Sequence, residues 1–322
     1  MPAPASNQTI SYLAKRFSEA GIRLNTRHGQ NFLIDSNLLR LLVERASLGP
    51  NDVVLEVGTG TGALTALIAP SVAAVVTVEI DPQLQQLASE ELFGLTNIVM
   101  LRHDALRNKG NLDPRVIAAV EEQLVVGPER QLKLVANLPY SVATPIIANL
   151  LASSIVPHSM TITIQKEVAD RIAASPGGKD YGALSVWIQS QCRVELVRIL
   201  SPTVFWPRPK VHSAIIHIEV DPQLRGRIPD LAFFHDFVRS LFFHRRKFLR
   251  SVLHSALKDR LDKPAIDEIL GQTNLSPECR ADQLTVETIL GLSEAVRAMP
   301  IANPSPRAAT MARMSKDPDP LG

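Results

Sequence analysis

Between residues 51 and 165 the sequence alternates short aliphatic and β-branched runs with longer stretches of helical periodicity. Five runs predict strands: NDVVLEV at 51–57, AAVVTVE at 73–79, NIVML at 97–101, LKLVAN at 132–137 and SMTITIQ at 159–165. The stretches between them predict helices: ALTALIAP at 63–70, PQLQQLASEEL at 82–92, PRVIAAVEEQL at 114–124 and ATPIIANLLAS at 143–153. Such alternation favours an α/β fold in which helices cover both faces of a mainly parallel sheet.

The pattern changes after residue 180. A helix over 183–191 is followed by two strands, at 192–200 and 211–220, with no long crossover between them, so we expect at least one antiparallel strand at this edge. Residues 231–297 show only helical periodicity. We therefore predict four segments: a basic N-terminal arm at 1–28, an α/β domain at 29–220, a helical domain at 221–299 and a disordered tail at 300–322.

Composition excludes several classes of protein. The chain has 322 residues, a net charge of +2 and only two cysteines, Cys192 and Cys279, far apart in sequence, so we expect neither a disulfide framework nor a metal site. Glycine and proline interrupt the two long uncharged stretches, 57–78 and 134–165, so that neither predicts a membrane-spanning helix. With no secretory signal visible at the N-terminus, we expect a cytoplasmic protein. Charge is uneven: residues 205–263 hold twelve Lys and Arg against six Asp and Glu.

The segment VVLEVGTGTGALT joins the first strand to its helix through Gly58, Gly60 and Gly62. A glycine loop of this kind lets backbone approach a ligand closely, although some such loops are only tight turns. The glycine spacing departs from the dinucleotide fingerprint. Glu79 ends the second strand, where a carboxylate can bind ribose hydroxyls, and Asp104 follows the third, where it can hold an adenine amino group. We predict S-adenosylmethionine, which has ribose and adenine but no pyrophosphate.

The fourth strand ends in Asn137-Leu138-Pro139-Tyr140, at the sheet edge where α/β folds bind ligands. The exocyclic amine of a nucleobase is a poor nucleophile because its lone pair is delocalised into the ring. The Asn137 side-chain oxygen and the Leu138 carbonyl can accept its two hydrogens, while Pro139 shapes the turn and Tyr140 offers a stacking face. This predicts methylation of a base amine. The alternative is a turn whose tyrosine only covers the core.

A set of segments along the chain resembles one enzyme family, the bacterial small-subunit (16S) ribosomal RNA adenine N6,N6-dimethyltransferases of the KsgA/RsmA type, over about residues 25–297. The matching segments are GQNFLID at 29–35, VLEVGTGTGALT at 54–65, VEID at 78–81, HDAL at 103–106, NLPYSVATP at 137–145, QKEVADRI at 165–172, YGALSV at 181–186, FWPRPKVHSA at 205–214 and HRRKFLRSVL at 244–253. Departures are SVAT after NLPY, VHSA in place of VDSA, and a long stretch between 107 and 130.

The resemblance implies a Rossmann-like S-adenosylmethionine-dependent methyltransferase sheet with a small C-terminal helical domain. It also implies dimethylation of adjacent adenines in a loop near the 3′ end of 16S rRNA, within the 30S subunit, by a monomer that has a role in ribosome biogenesis. Carried over by position, the cofactor contacts are Asn31, Leu33, Gly58, Glu79, Asp104 and Asn137, to which the glycine loop adds Gly60. Tyr140 and Phe205 would flank the target adenine.

The segment LFFHRRKFLRSVL at 241–253 predicts a helix with a basic face. Its cations, together with two in the PRPK segment, are the predicted RNA-binding residues: Arg208, Lys210, Arg245, Arg246, Lys247 and Arg250. The N-terminal cations Lys15, Arg16, Arg23 and Arg27 would extend this surface. Basic runs are more often solvated faces, but coincidence with the positive region at 205–263 favours phosphate contacts.

Three other functions share parts of this pattern. A large-subunit (23S) rRNA adenine methylase of the macrolide-resistance type has the same glycine loop and a similar N-(L/I)-P-Y turn, whereas YGALSV and HRRKFLRSVL favour the small-subunit family. A DNA adenine methylase would need a DNA-recognition domain, which we do not recognise. A mainly non-catalytic assembly factor for the 30S subunit would share the RNA-binding residues.

Overall fold

The computed structural model describes residues 9–19, 21–22, 31–258 and 260–300, and the chain forms two compact units. Among the described residues, the first comprises those up to residue 173 together with 191–222, and the second comprises 174–190 and those from 223 to 300. Residues 174–190, predicted within the α/β domain at 29–220, thus group with the helical unit. Arg23, Arg27 and the predicted tail beyond residue 300 lie outside the described residues.

The first unit is built on a seven-stranded sheet. In chain order the strands of the unit are β1 (Phe32–Leu33), β2 (Asp52–Val57), β3 (Ala74–Val78), β4 (Ile98–Leu101), β5 (Leu106–Asn108), β6 (Asn111–Leu112), β7 (Gln131–Asn137), β8 (Ser159–Gln165), β9 (Cys192–Leu200), β10 (Phe205–Trp206) and β11 (Ser213–Val220). The sheet order is β4-β3-β2-β7-β8-β11-β9, and two-stranded pairs form between β1 and β10 and between β5 and β6.

Five neighbouring strands of the sheet run parallel to one another: β4, β3, β2, β7 and β8. Strand β11 is antiparallel to both β8 and β9. The seven strands predicted from the sequence are all present, and the predicted antiparallel edge is confirmed. The parallel strands read as continuous apolar runs because helices cover both faces: every residue of β2 and of β3 is buried.

The helices of the first unit are α1 (Ile10–Glu19), α2 (Ser36–Arg45), α3 (Ala63–Ile68), α4 (Pro82–Glu91), α5 (Pro114–Leu124), α6 (Ala143–Ala152) and α7 (Lys166–Ala173). Three of them begin after an aspartate that accepts a hydrogen bond from the backbone N–H two residues later. Asp35 caps α2, Asp81 caps α4 and Asp113 caps α5, each at 2.9 Å. Proline follows the last two caps, at the position where its missing N–H costs nothing.

A buried ion pair lies at the amino-end edge of the sheet. Lys133 on β7 places its Nζ 2.9 Å from an Asp52 carboxylate oxygen, and donates to the backbone carbonyl of Ser47 at 2.7 Å, just beyond the end of α2. Both side chains are less than 10% exposed. The pair therefore joins α2 to the two central strands.

The second unit is helical, with α8 (Ala183–Gln189), α10 (Leu231–Phe243), α11 (Leu249–Ala256), α12 (Lys263–Gln272) and α13 (Val286–Ala298), while a short α9 (Pro222–Gly226) begins at the boundary. Trp187 of α8 packs against Phe234 and His235 of α10. Across the described parts of both units, no helix is long and apolar enough to cross a membrane.

The prediction of one helix over 241–253 is wrong, because α10 ends at Phe243 and α11 begins only at Leu249. Phe248 is extended and forms a bridge with Arg280, and the N–H of Leu249 donates to the Cys279 carbonyl at 2.8 Å. These bonds to a distant segment replace the helical bonds that residues 244–248 would otherwise make. The basic run therefore lies in a turn rather than on a helix face.

Candidate active site

The carboxyl ends of β2, β3, β4 and β7 meet at one edge of the sheet because these strands are parallel neighbours. The loops that follow them line a single cleft. Nine of the predicted catalytic and cofactor-binding residues line this cleft: Asn31, Gly58, Gly60, Glu79, Asp104, Asn137, Leu138, Pro139 and Tyr140. The placement follows from strand order, since ligands of open α/β sheets bind at this edge.

The glycine loop lies against the turn that follows β7. Gly58 and Gly60 both have positive φ, at 86° and 57°. A Cβ on Gly60 would lie 3.1 Å from the Phe32 ring, and one on Gly58 would lie 3.3 Å from Pro139. The loop conformation and its close packing both require glycine at these two positions.

Glu79, at the end of β3, is the buried carboxylate of the cleft, with 7% of its surface exposed. One of its oxygens accepts the N–H of Gly60 at 2.9 Å and the other accepts the N–H of Asp81 at 3.0 Å. Burial raises the pKa of Glu79 above its usual value, although the two amides oppose the rise. The amides hold the carboxylate in one orientation, with acceptor capacity left for a pair of hydroxyl groups.

Asp104, which follows the neighbouring strand β4, is exposed, and its Oδ1 accepts the N–H of Leu106 at 2.9 Å. His103, which the sequence did not single out as a site residue, also lines the cleft and places Nδ1 2.9 Å from the Asp104 carbonyl oxygen. These contacts fix the start of the β5–β6 hairpin and leave the second Asp104 oxygen available to a donor in the cleft.

A third acidic residue, Glu56, lies beneath the glycine loop and was missed by sequence reasoning. It is 1% exposed, and one of its oxygens accepts the hydroxyls of Thr65 and of Thr77, the latter at 2.8 Å. The Thr77 hydroxyl also lies 2.6 Å from that of Thr59 in the loop. Burial raises the pKa of Glu56 to about 8. The signal for this network was a glutamate inside the apolar run VVLEV.

The turn after β7 is held at both ends by hydrogen bonds. Asn137 Nδ2 donates to the backbone carbonyl of Asn31 at 2.8 Å, and the Leu138 N–H donates to the Thr163 carbonyl at 3.1 Å. The Tyr140 hydroxyl lies 2.6 Å from the Ser213 Oγ. Because the amide nitrogen of Asn137 is engaged, its Oδ1 is left as an acceptor, and no donor from the described residues reaches it.

Two predicted site residues are not in the cleft. Leu33 and Phe205 are cross-strand partners in the β1–β10 pair, with 6% and 2% of their surfaces exposed. Both pack in the hydrophobic core around α2 and α3. Phe205 therefore offers no face to a base in this structure, which corrects its predicted pairing with Tyr140. The adjacent Phe32 does line the cleft, along with Ile80, Leu84, Ser141 and Val142, which the sequence did not single out.

The predicted RNA-binding cations divide into two groups. Arg245 donates to an Asp282 carboxylate oxygen and to the carbonyls of Lys179 and Gly178, and Arg250 forms a two-bond pair with Asp267. These two side chains have structural partners. The others are exposed and have no ion-pair partner among the described residues: Arg208, Lys210, Arg246 and Lys247.

The N-terminal cations within the described range are engaged in the first unit. Arg16 of α1 donates to Glu90 of α4 at 3.0 Å, and Lys15 lies 3.8 Å from Glu19 one turn further along α1. Exposed pairs of this kind contribute little to stability, so they do not prevent either cation from exchanging its partner for a phosphate.

Comparison with known proteins gives consistent matches. The family model described as ribosomal RNA adenine dimethylase matches residues 21–291. A ribosomal RNA small subunit methyltransferase A from Halothermothrix orenii is 38% identical over 84% of this chain and 88% of its own, and one from Lactiplantibacillus plantarum is 39% identical over 86% and 91%. A solved dimethyladenosine transferase from Plasmodium falciparum, 22% identical, superposes with a TM-score of 0.67 over 80% of this chain and 94% of its own.

The structural likeness confirms the predicted Rossmann-like α/β methyltransferase fold with C-terminal helices. The family model spans most of the chain, and the two relatives exceed 30% identity over more than four fifths of it. Together with a cleft at the carboxyl edge of the sheet that ends in Asn137-Leu138-Pro139-Tyr140, these matches show that the chain belongs to the ribosomal RNA adenine dimethylase family of methyltransferases.

Proposed function

We propose that this protein uses S-adenosylmethionine to transfer two methyl groups to N6 of each of two adjacent adenines in small-subunit rRNA, within the 30S particle. The main support for this proposal is the Asn137 side chain: its nitrogen donates a hydrogen bond to the Asn31 carbonyl, and its oxygen remains an acceptor in the cleft. The names of the relatives support a small-subunit substrate. The 3′-end loop, the adjacency of the adenines and the monomeric state stay expectations from the family resemblance, and the cytoplasmic location stays a prediction from the sequence.

The cleft residues fit the cofactor. Gly60 leaves open the space that a Cβ would take beside Phe32, and Glu79 is a buried carboxylate held by two amides. Glu79 would accept the two ribose hydroxyls, and Asp104 would accept the adenine amino group. When bound, S-adenosylmethionine supplies an activated methyl group. A nicotinamide dinucleotide would also need a site for its pyrophosphate, which the glycine spacing does not favour.

The turn supplies two acceptors for the target amine. Asn137 Oδ1 and the Leu138 carbonyl would accept its two N–H groups, which draws the nitrogen lone pair out of conjugation with the ring. As the nitrogen becomes tetrahedral and positively charged, both hydrogen bonds strengthen. Because Asn31 and Thr163 already hold this turn, little reorganisation is needed at the moment of reaction. No general base is required, since the methylated nitrogen loses its proton readily.

Tyr140 would supply the face on which the flipped adenine stacks. The phosphate contacts that we propose for each unit are the exposed cations without partners: Arg208 and Lys210 in the first unit, and Arg246 and Lys247 in the second. Arg245 is left out of this set because three hydrogen bonds hold its side chain within the helical unit, and Arg250 is a weaker candidate because it is already paired with Asp267.

The test is single-turnover methylation of unmethylated 30S subunits at saturating cofactor, with modified nucleotides mapped by mass spectrometry. Asn137→Ala should be slower by about 100-fold or more, in line with the loss of one preorganised contact at a reacting centre. Asn149→Ala is the matched control, because it loses an amide-to-carbonyl bond on α6 outside the cleft; its rate should stay within about twofold. An Asn137→Ala enzyme as fast as the unmodified enzyme would refute amine activation by this turn.

The same assay separates the alternatives. Methylation of 50S particles in preference to 30S would support the large-subunit interpretation. A mainly non-catalytic assembly factor would bind 30S particles equally well with and without Asn137, and an inactive variant that stays bound would trap the particle.

A further inference from the structure

Ser213 is a buried polar residue that does not line the cleft, and it has no role in the methylation chemistry proposed for the cleft residues. It is the first residue of β11 and has no exposed surface. Its side chain makes one hydrogen bond among the described residues, of 2.6 Å, to the hydroxyl of Tyr140. The two residues are 73 positions apart in sequence.

The backbone of Ser213 is fixed on both sides. It pairs with Gln165 of β8 and with Leu200 of β9, so that β11 lies between two antiparallel neighbours. Tyr140, in contrast, lies in a turn outside regular secondary structure, between β7 and α6. The hydrogen bond therefore connects a side chain in a turn to a strand that is paired on both sides, and it limits rotation of the Tyr140 ring.

We infer that Ser213 is a positioning residue for the methylation, holding the Tyr140 ring in the orientation in which it stacks the target adenine. This inference rests on the proposed function. It assigns a role to the tyrosine hydroxyl, which stacking alone would not need, since a phenylalanine ring offers the same face. Burial raises the pKa of Tyr140, although the Ser213 hydrogen bond opposes the rise, so the hydroxyl keeps its proton at neutral pH.

The consequence for rate follows from the energy of one hydrogen bond. Loss of one neutral hydrogen bond changes an equilibrium constant by about fivefold. Loss of this bond leaves the ring able to sample other orientations, so the equilibrium constant for correct stacking of the adenine falls by the same factor. Where the stacked adenine is the minor state, the methylation rate falls by that factor too. Particle binding depends on phosphate contacts elsewhere and should not change.

The experiment is a double-mutant cycle on unmethylated 30S subunits. Ser213→Ala and Tyr140→Phe remove the same hydrogen bond from opposite ends, so each should slow single-turnover methylation at saturating 30S by about fivefold. The double variant should be no slower than either single variant. Ser159→Ala is the matched control: a buried serine at the start of β8, which should leave the rate unchanged.

Calorimetric titration of cofactor and thermal unfolding accompany each variant, so that a folding defect is separated from mispositioning. Equal cofactor affinity and cooperative unfolding, together with the shared fivefold loss, would support the inference. A Ser213→Ala enzyme as fast as the unmodified one, or a double variant about 25-fold slower, would overturn it. If the unmodified protein methylates no adenine in 30S or 50S particles, the proposed function itself fails, which is a distinguishable result.

Discussion

The buried carboxyl of Glu56 predicts a pH dependence of stability that a single substitution removes. Its pKa is raised from an ordinary 4.5 to about 8 by burial in the native state, against the hydroxyls of Thr65 and Thr77 that oppose the rise. Below pH 4.5 the group is protonated in both the native and the unfolded state. As pH rises toward 8, only the unfolded state loses the proton, so the free energy of unfolding falls.

The magnitude follows from proton linkage. One proton bound by the native but not the unfolded state lowers the free energy of unfolding by about 1.4 kcal/mol per pH unit. Across the window from 4.5 to about 8 the total is roughly 3–5 kcal/mol. Glu56→Gln keeps a neutral group of similar size whose oxygen can still accept the two threonine hydroxyls, and it has no proton to lose.

We therefore expect the stability of Glu56→Gln, relative to the unmodified protein, to rise by about 1 kcal/mol per pH unit between pH 5 and 8. Urea denaturation at four pH values measures this difference. Glu122→Gln, an exposed glutamate on α5, is the matched control and should change stability by less than about 0.5 kcal/mol. A Glu56→Gln difference that stays constant across the pH range would refute the assignment of a protonated native carboxyl.

Three further outcomes are expected. Lys133→Met should destabilise the first unit by about 3–5 kcal/mol, measured by denaturation, because it leaves the Asp52 carboxylate buried without its cation, and adding Asp52→Asn should recover part of the loss. Gly60→Ala should weaken S-adenosylmethionine binding by tenfold or more in calorimetric titration, since its φ of 57° strains any side chain. Arg246→Ala with Lys247→Ala should reduce the log–log salt slope of 30S binding by about 2 without lowering the melting temperature; an unchanged slope would exclude this turn as a phosphate contact.

Much of the fold could be predicted because it is encoded locally. The aspartates at 35, 81 and 113 satisfy the first N–H groups of their helices within a few residues. Continuous apolar runs identify strands that are buried on both faces. Parallel strands of one sheet must end at the same edge, so the residues after β2, β3, β4 and β7 come together whatever the rest of the chain does.

Only the tertiary structure decided which side chains and carbonyls from distant parts of the sequence come into contact. The Ser213 hydroxyl is hydrogen-bonded to Tyr140, 73 positions away in sequence, and Arg245 donates to carbonyls 66 and 67 positions away. Phe205 is in the core because β10 pairs with β1. The periodicity of apolar residues predicts whether a side chain is buried. It does not predict which residue that side chain contacts, because the contact depends on how distant segments of the chain pack against each other.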